Sequence, residues 1–322
     1  MTSMDQGQET TLAEISTVLA EYGYEFRVIS IEHLLEVKEH FDGLLANGTI
    51  DEEILDKYVN TFNYGAPASF PDAQAVIVVA AFSPPLRVGF TVDGQTIEAI
   101  VPPQYKEPDH PVHPEDLLRA VIERAGYRVV RAANANRVPY KRLAVQSGLS
   151  VYGRNNITYF LGKKWGSHAR LDAFFTDLPA SESTWQPMAL AAPCTVCRKC
   201  VDACPTHCIP ADEDRFVVHA GRCLTFYSED EWPIPDWIDP AWHNCLIGCM
   251  YCQNACPMNR VVANDVVEVG ILPEPDTTQF MDARTRDDLT PVTVELLENV
   301  GLLDDFAIAA RNLRLLLDRS SS

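Results

Sequence analysis

The run "CTVCRKCVDACPTHC", from Cys194 to Cys208, constrains this chain more than any other feature. All ten cysteines of the 322 residues lie between Cys194 and Cys256. Cysteine used as a small core hydrophobe would be scattered along the chain, so this confinement marks a local chemical device. The choices are disulfides, zinc ligands or cluster ligands. The polar start "MTSMDQGQET" lacks the basic and apolar regions of a signal peptide. The longest strongly apolar run, "AVIVVAAF" at Ala75–Phe82, is too short to span a bilayer. The expectation is a cytoplasmic protein without a membrane partner, in a reducing compartment that disfavours a disulfide framework.

Spacing separates the other two choices. The first run reads Cys194-x2-Cys197-x2-Cys200-x3-Cys204-Pro205, the bacterial ferredoxin pattern in which the fourth cysteine ligates the other [4Fe–4S] cluster. A second run, Cys249-x2-Cys252-x3-Cys256-Pro257, is one cysteine short, and Cys223 between the runs supplies it. The expected ligand sets are Cys194, Cys197, Cys200 and Cys256 for one cluster, and Cys204, Cys223, Cys249 and Cys252 for the other. Two CxxC pairs also suit a zinc ribbon, but a ribbon has no need of the Cys-Pro halves. Cys208 and Cys245 are left over, as buried thiols or as exchange partners for a neighbouring ligand.

Upstream, helical and strand patterns alternate. Leu12, Ile15, Val18, Leu19 and Tyr22 fall at helical spacing. "YEFRVISI" reads as a strand, and "IEHLLEVKEHFDGLLANG" as a helix stopped by Asn47-Gly48. "DEEILDKYVNTF" reads as another helix, and "AVIVVAAF" as a buried strand. Asp93-Gly94 between alternating apolar runs marks a hairpin. "HPEDLLRAVIERAGYRVVRA" reads as helix, Gly126 stop and strand, "YKRLAVQSG" as a short helix, and "ITYFLGKKWGSHARLDAFFTDLP" as two strands. After the cysteines, "TPVTVELLENVGLLDDFAIAARNLRLLLD" is helical and "RSSS" a frayed tail. The expected fold is α/β: residues 1–185 form an α/β layer on a ferredoxin-like two-cluster module at 186–262, followed by a helical segment at 263–322.

Four stretches in order resemble the epoxyqueuosine reductase family, relatives of corrinoid-dependent reductive dehalogenases. "SGLSVYGRNN" (Ser147–Asn156) is similar to its A-G-L-G-W-I-G-K-N segment, and "FFTDLP" to a strand motif. "GRCLTFYSED" and "GCMYCQNACPMNR" resemble its R-R-C-I-S-Y-L-T-I-E and G-C-D-D-C-Q-L-x-C-P-W-N segments. The resemblance covers residues 70–315. It implies a base-off cobalamin held over one cluster, electrons passing between clusters to cobalt, and reduction of epoxyqueuosine in tRNA. It points to Gly148, Gly153, Arg154 and Asn155 as cofactor-binding residues. The two glycines read equally well as turn residues.

Departures accompany the resemblance. The family's proton-donating aspartate falls on Asn134, or on Asn136 in an alternative alignment, and an amide cannot deliver a proton as a carboxylic acid can. Asp109 and His110 stand near the place of a D-Y-H motif, without its spacing. The family's helical-repeat tail, which would grip tRNA, is expected to be missing, with one helical region after the cysteines. The 45 acidic residues outnumber the 26 basic, for a net charge of −19, which argues against tight tRNA binding. Lys141, Arg142, Arg154, Lys163 and Lys164 read as a solvated charged face, with a local basic patch as the alternative. His110, His113, His168 and His207 lack ligand-pair spacing. No P-loop, dinucleotide fingerprint or Ser-His-Asp arrangement is present, and the sequence names no catalytic residue. The expected function is an iron–sulfur oxidoreductase fed by a low-potential donor such as ferredoxin or flavodoxin, acting on a small molecule or modified nucleoside. The alternative is a ferredoxin-type electron-transfer protein with no corrinoid.

Overall fold

The computed structural model describes residues 3–50, 55, 58–106, 111–135, 137–180, 184–211 and 217–320. They form two compact units, one from 1–82, 108–162 and 171–195, the other from 83–107, 163–170 and 196–322. The chain is mixed α/β with helices at its C-terminal end, as the sequence patterns imply.

The first unit is built on a four-stranded sheet of β1 (Glu25–Ser30), β2 (Ala75–Phe82), β5 (Val129–Arg131) and β8 (Ala169–Thr176), in the order β1-β2-β8-β5. β2 carries no charge, and its first seven residues are all buried. That fits a strand covered on both faces, where alternation gives way to a continuous apolar run. On one face Ile77, Val79 and Ala81 share a core with Ile15 and Leu19 of α1 (Ser3–Glu21) and with Leu118, Val121 and Ile122 of α3 (Pro114–Ile122). The α3 start is fixed by His113, whose Nδ1 accepts from the Glu115 amide, and by Pro114 at the first helical position. α2 (His33–Ala46) stops at Asn47, with Gly48 at φ +63°. The short helices α4 (Ala132–Ala135) and α5 (Tyr140–Gln146) follow β5, and α5 packs on β2. β6 (Val151–Tyr152) and β7 (Thr158–Tyr159) form a small antiparallel ribbon. Half of the helix expected over 51–62 lies outside the described residues; its described end holds a single tight turn, Val59–Thr61.

The second unit opens with the expected hairpin, β3 (Leu86–Val92) and β4 (Gln95–Val101). Asp93 and Gly94 both take positive φ, 50° and 72°, the two-residue turn whose twist matches paired strands. β3 also pairs in parallel with β9 (Val267–Leu272), inside a segment that reads as helical from sequence. The alternation of β9 is weak because most of it is exposed, which hides the strand signal. The core beneath holds Phe90 stacked on Phe280 at 6.0 Å, from α9 (Glu274–Asp282), with Leu297 of α10 (Pro291–Asn299) and Leu313 of α11 (Phe306–Ser320). Helix α11 runs on through Arg319 and Ser320, where a frayed tail was expected.

Helix α11 ties this core to the cysteine loops. Asn312, fully buried, donates from Nδ2 to the carbonyls of Ser228 (2.9 Å) and Leu246 (3.0 Å). Arg311 donates to the carbonyls of Tyr227, Asp230 and Trp232. The Leu246 amide bonds the Ile100 carbonyl of β4 at 2.7 Å. Replacing Asn312 by Leu keeps the branched shape and heavy-atom count but leaves two buried carbonyls unpaired, at a cost of about 2–4 kcal/mol. Thermal unfolding of Asn312→Leu is expected to begin well below wild type, and an unchanged midpoint would show that water replaces both bonds.

Candidate metal centre

Two short helices carry matching cysteine pairs. α6 (Lys199–Ala203) holds Cys200 at its second position and gives way to Cys204, which turns to an extended ψ of 110° ahead of Pro205. α8 (Tyr251–Asn254) holds Cys252 at its second position, and Cys256 takes ψ 123° ahead of Pro257. A residue before proline is driven out of the helical region, so each Cys-Pro step ends its helix and turns the thiol away. α6 and α8 pack against each other. The spacing in sequence thus becomes two equivalent turns face to face.

Around them, Cys200, Cys204, Cys208 and Ile209 form a buried cluster on which Cys223 and Cys252 pack. Cys223 precedes α7 (Leu224–Ser228). None of the ten cysteines is in a disulfide. Cys208 Sγ lies 3.5 Å from Cys204 Sγ and also hydrogen-bonds Cys223. The bond from Cys208 draws Cys204 down to about 5 against the cost of burial, and lowers Cys223 as well. Cys208 itself is pushed far up by the same two partners. The chemistry of this set is two thiolate-prone sulfurs bridged by a thiol that keeps its proton. Burial raises Cys245 well above its ordinary range and Cys249 to about 11. Among the described residues no three His, Cys, Asp or Glu side chains converge as the ligands of one ion would. A cubane places each thiolate on a different iron, so its donor set is more open than that of a single zinc.

The sequence reading missed the residues that aim these thiols. Asn244 donates from Nδ2 to Cys249 Sγ at 3.2 Å, while its Oδ1 accepts from the Met250 amide and from Cys245 Sγ. Gly248, at φ +69°, lies against Tyr105; a Cβ there would stand 2.5 Å from the phenol oxygen. Tyr105 in turn donates to Glu229. Behind α8, Ser167 Oγ donates to Gln253 Oε1, and Asn259 Nδ2 donates to Ser167 Oγ and the Gln253 carbonyl, all at 2.8–2.9 Å. Gly166 admits this contact, since a Cβ would fall 2.3 Å from Asn259 Oδ1. Beside it a cavity of about 360 Å³ reaches Cys256 and is lined by Arg87, His168, Met250 and Gln253.

The four residues singled out for a corrinoid lie in the first unit and are engaged there. A Cβ on Gly153 would meet the Tyr159 ring at 2.5 Å, so that glycine serves internal packing. Gly148 turns the chain at φ +74°. Asn155 Nδ2 donates to the Tyr159 hydroxyl, and Arg154, buried, donates from Nη2 to the Cys194 carbonyl at 2.9 Å. The expected basic face does not form as a whole: Arg142 and Arg154 are buried, while Lys141, Lys163 and Lys164 are exposed. Asp109, His110 and Asn136 lie outside the described residues. Asn134 sits in α4, with its side chain outside the description.

Residues 193–259 match the 4Fe-4S double cluster binding domain family. The chain is 32% identical to the epoxyqueuosine reductase of Cyclobacterium marinum over 121 residues, 37% of this chain and 36% of that one. The solved structure of epoxyqueuosine reductase from Streptococcus thermophilus superposes with a TM-score of 0.61 at 18% identity, covering 97% of this chain and 82% of that one. An epoxyqueuosine reductase solved with an epoxyqueuosine-modified tRNA stem loop gives 0.67 at 16% identity, with the same two coverages. The chain is epoxyqueuosine reductase-like. Its cysteine segment is a 4Fe-4S double cluster domain, and its fold is that of the solved reductases. The matched stretch spans about a third of the length of the curated relatives. No described helix is long and apolar enough to cross a membrane.

Burial of His168 gives the second unit a pH dependence. It is 5% exposed, Nδ1 lacks a partner among the described residues, and burial holds its pKa down to about 4, against an upward pull from Asp265. The unfolded chain takes up this proton near 6.5 and the folded chain does not, so the contribution to stability is intact above about 6.5 and falls away as pH drops toward 4. Between pH 7 and pH 5 the loss is expected to be about 1–2 kcal/mol. His168→Gln, which cannot titrate, should flatten the fall in melting temperature over that range; an identical slope in both proteins would refute the assignment.

Proposed function

We propose that the chain is an iron–sulfur oxidoreductase with two [4Fe–4S] clusters. One is held by Cys194, Cys197, Cys200 and Cys256, the other by Cys204, Cys223, Cys249 and Cys252. The observation that carries this reading is the packed pair α6 and α8, each with a cysteine in its first turn and a Cys-Pro exit. In that pairing the exit thiol of each helix belongs with the cysteines of the other half, as the ferredoxin spacing requires. Bound there, the clusters supply one-electron transfer between a reductant such as ferredoxin or flavodoxin and an acceptor, which the resemblance gives as a corrinoid. The chain's own part is to orient and tune. Asn244 gives Cys249 an N–H···S bond, and Cys208, with one S–H between them, can give it to Cys204 or to Cys223; such bonds to ligand sulfur set the reduction potential. Arg154 fixes the backbone at Cys194.

The substrate in this reading is a small molecule or modified nucleoside. Whole tRNA is disfavoured by the net charge of −19 and by the burial of Arg142 and Arg154, which keeps both from the backbone phosphates of a folded tRNA. Asn134 or Asn136 at the proton-donor position would cost a factor of about 10²–10⁴ in epoxide opening.

Anaerobically isolated protein is expected to hold about eight iron and eight sulfide per chain. Stoichiometric zinc without iron would end the proposal. Cys256→Ala should alter the electron paramagnetic resonance signal of the cluster held by Cys194, Cys197 and Cys200; a change confined to the other signal would overturn the cross-ligation. Equilibrium dialysis of the reduced protein with cobalamin tests the acceptor, and binding no greater than background would favour the electron-transfer protein.

A further inference from the structure

We infer that Arg142 forms a binding site for the oxyanion of a small molecule, a carboxylate or phosphate, within the first unit. The inference rests on side chains of that unit alone and is independent of the cluster assignment. Arg142 projects from α5 and is 5% exposed. Its Nε and Nη2 are buried and have no hydrogen-bond partner among the described residues. Those two N–H groups point the same way along one edge of the guanidinium, and together they are the fork that grips a carboxylate or phosphate through two parallel bonds.

Among the described residues no carboxylate pairs with this cation. The guanidinium lies over the Phe41 ring, 5.7 Å from its centre. Phe41 stacks on Phe62 at 6.1 Å and meets Tyr64 and His40 edge-on. Tyr152, also buried, is the ionisable group that acts on Arg142, and burial pushes its hydroxyl up to about 12, so it is neutral. His40 is neutral too, held down to about 4 by burial and then by Arg142. Aromatic faces offset part of the cost of a desolvated cation, but they leave the N–H fork unfilled. Next to it on α5, Lys141 turns outward to the Asn156 carbonyl and side chain. A ligand that suits this place has one anionic group for the fork and an apolar or planar body for the aromatic wall.

Isothermal titration calorimetry on the anaerobically isolated protein, at constant ionic strength, tests this with two probes, inorganic phosphate and benzoate. One-to-one saturable binding of either probe is expected, weakened about tenfold or more in R142M. R142K keeps the charge but not the fork and should also lose about tenfold. Equal affinity in wild type and R142K, or no saturable binding of either probe, overturns the inference. Thermal unfolding supplies a separate readout. Without ligand, R142M should be at least as stable as wild type, because it removes an uncompensated buried charge. The probe that binds should raise the wild-type midpoint and leave that of R142M unmoved. A ligand-free R142M that is markedly less stable, or that fails to fold, would make Arg142 a structural cation and overturn the site.

Discussion

Helices α6 and α8 pack against each other, and Cys252 packs on the buried cluster that holds Cys200 and Cys204. Neither helix reaches eight residues, and a helix so short has little stability of its own in water. What holds them is tertiary: the fully buried Asn312 of α11, the Leu246 amide on β4, and the knot of Ser167, Gln253 and Asn259 behind α8. The rest of the second unit can be understood as the support that two weak helices need if their sulfurs are to be kept in place.

That support is polar where a core would ordinarily be apolar. Asn312, Asn259, Gln253 and Ser228 are all buried, and each has hydrogen-bonding partners. A satisfied polar network fixes one geometry, whereas aliphatic packing tolerates small shifts. Sulfur ligands that must meet iron within a narrow range of positions benefit from the stricter arrangement. The thiol of Cys208, placed between Cys204 and Cys223, extends the same principle to sulfur itself.

The parts legible in the sequence were those whose signal is local. Cys-x2-Cys-x2-Cys-x3-Cys-Pro needs no knowledge of the fold, and Asp93-Gly94 announces its turn through φ alone. Other parts depend on partners far away. Nothing in "HNCLIGC" says that Asn244 will reach Cys249, or that Gly248 must leave room for Tyr105. The basic cluster at Lys141 and Arg142 misleads for the converse reason. Neighbouring helix positions point about 100° apart, so one side chain of the pair faces water and the other faces the aromatic wall at Phe41. β9 escaped notice because an exposed strand shows little alternation, and its parallel partner β3 lies before the whole cysteine region.

That last pairing has a consequence for how the molecule is assembled. β3 and β4 close on each other through a two-residue turn, but the other edge of β3 waits for β9, and every cysteine lies in the intervening chain. As synthesis proceeds, the hairpin emerges first and its open edge is completed only after Cys256 has been made. Closing so long a loop is entropically costly until something shortens it. Thiolates gathered on shared clusters would be such a tether, bringing Leu272 and its neighbours toward Phe90. Loading of metal would then be coupled to completion of the sheet, and an edge strand left open for want of iron would be a surface on which another chain could pair.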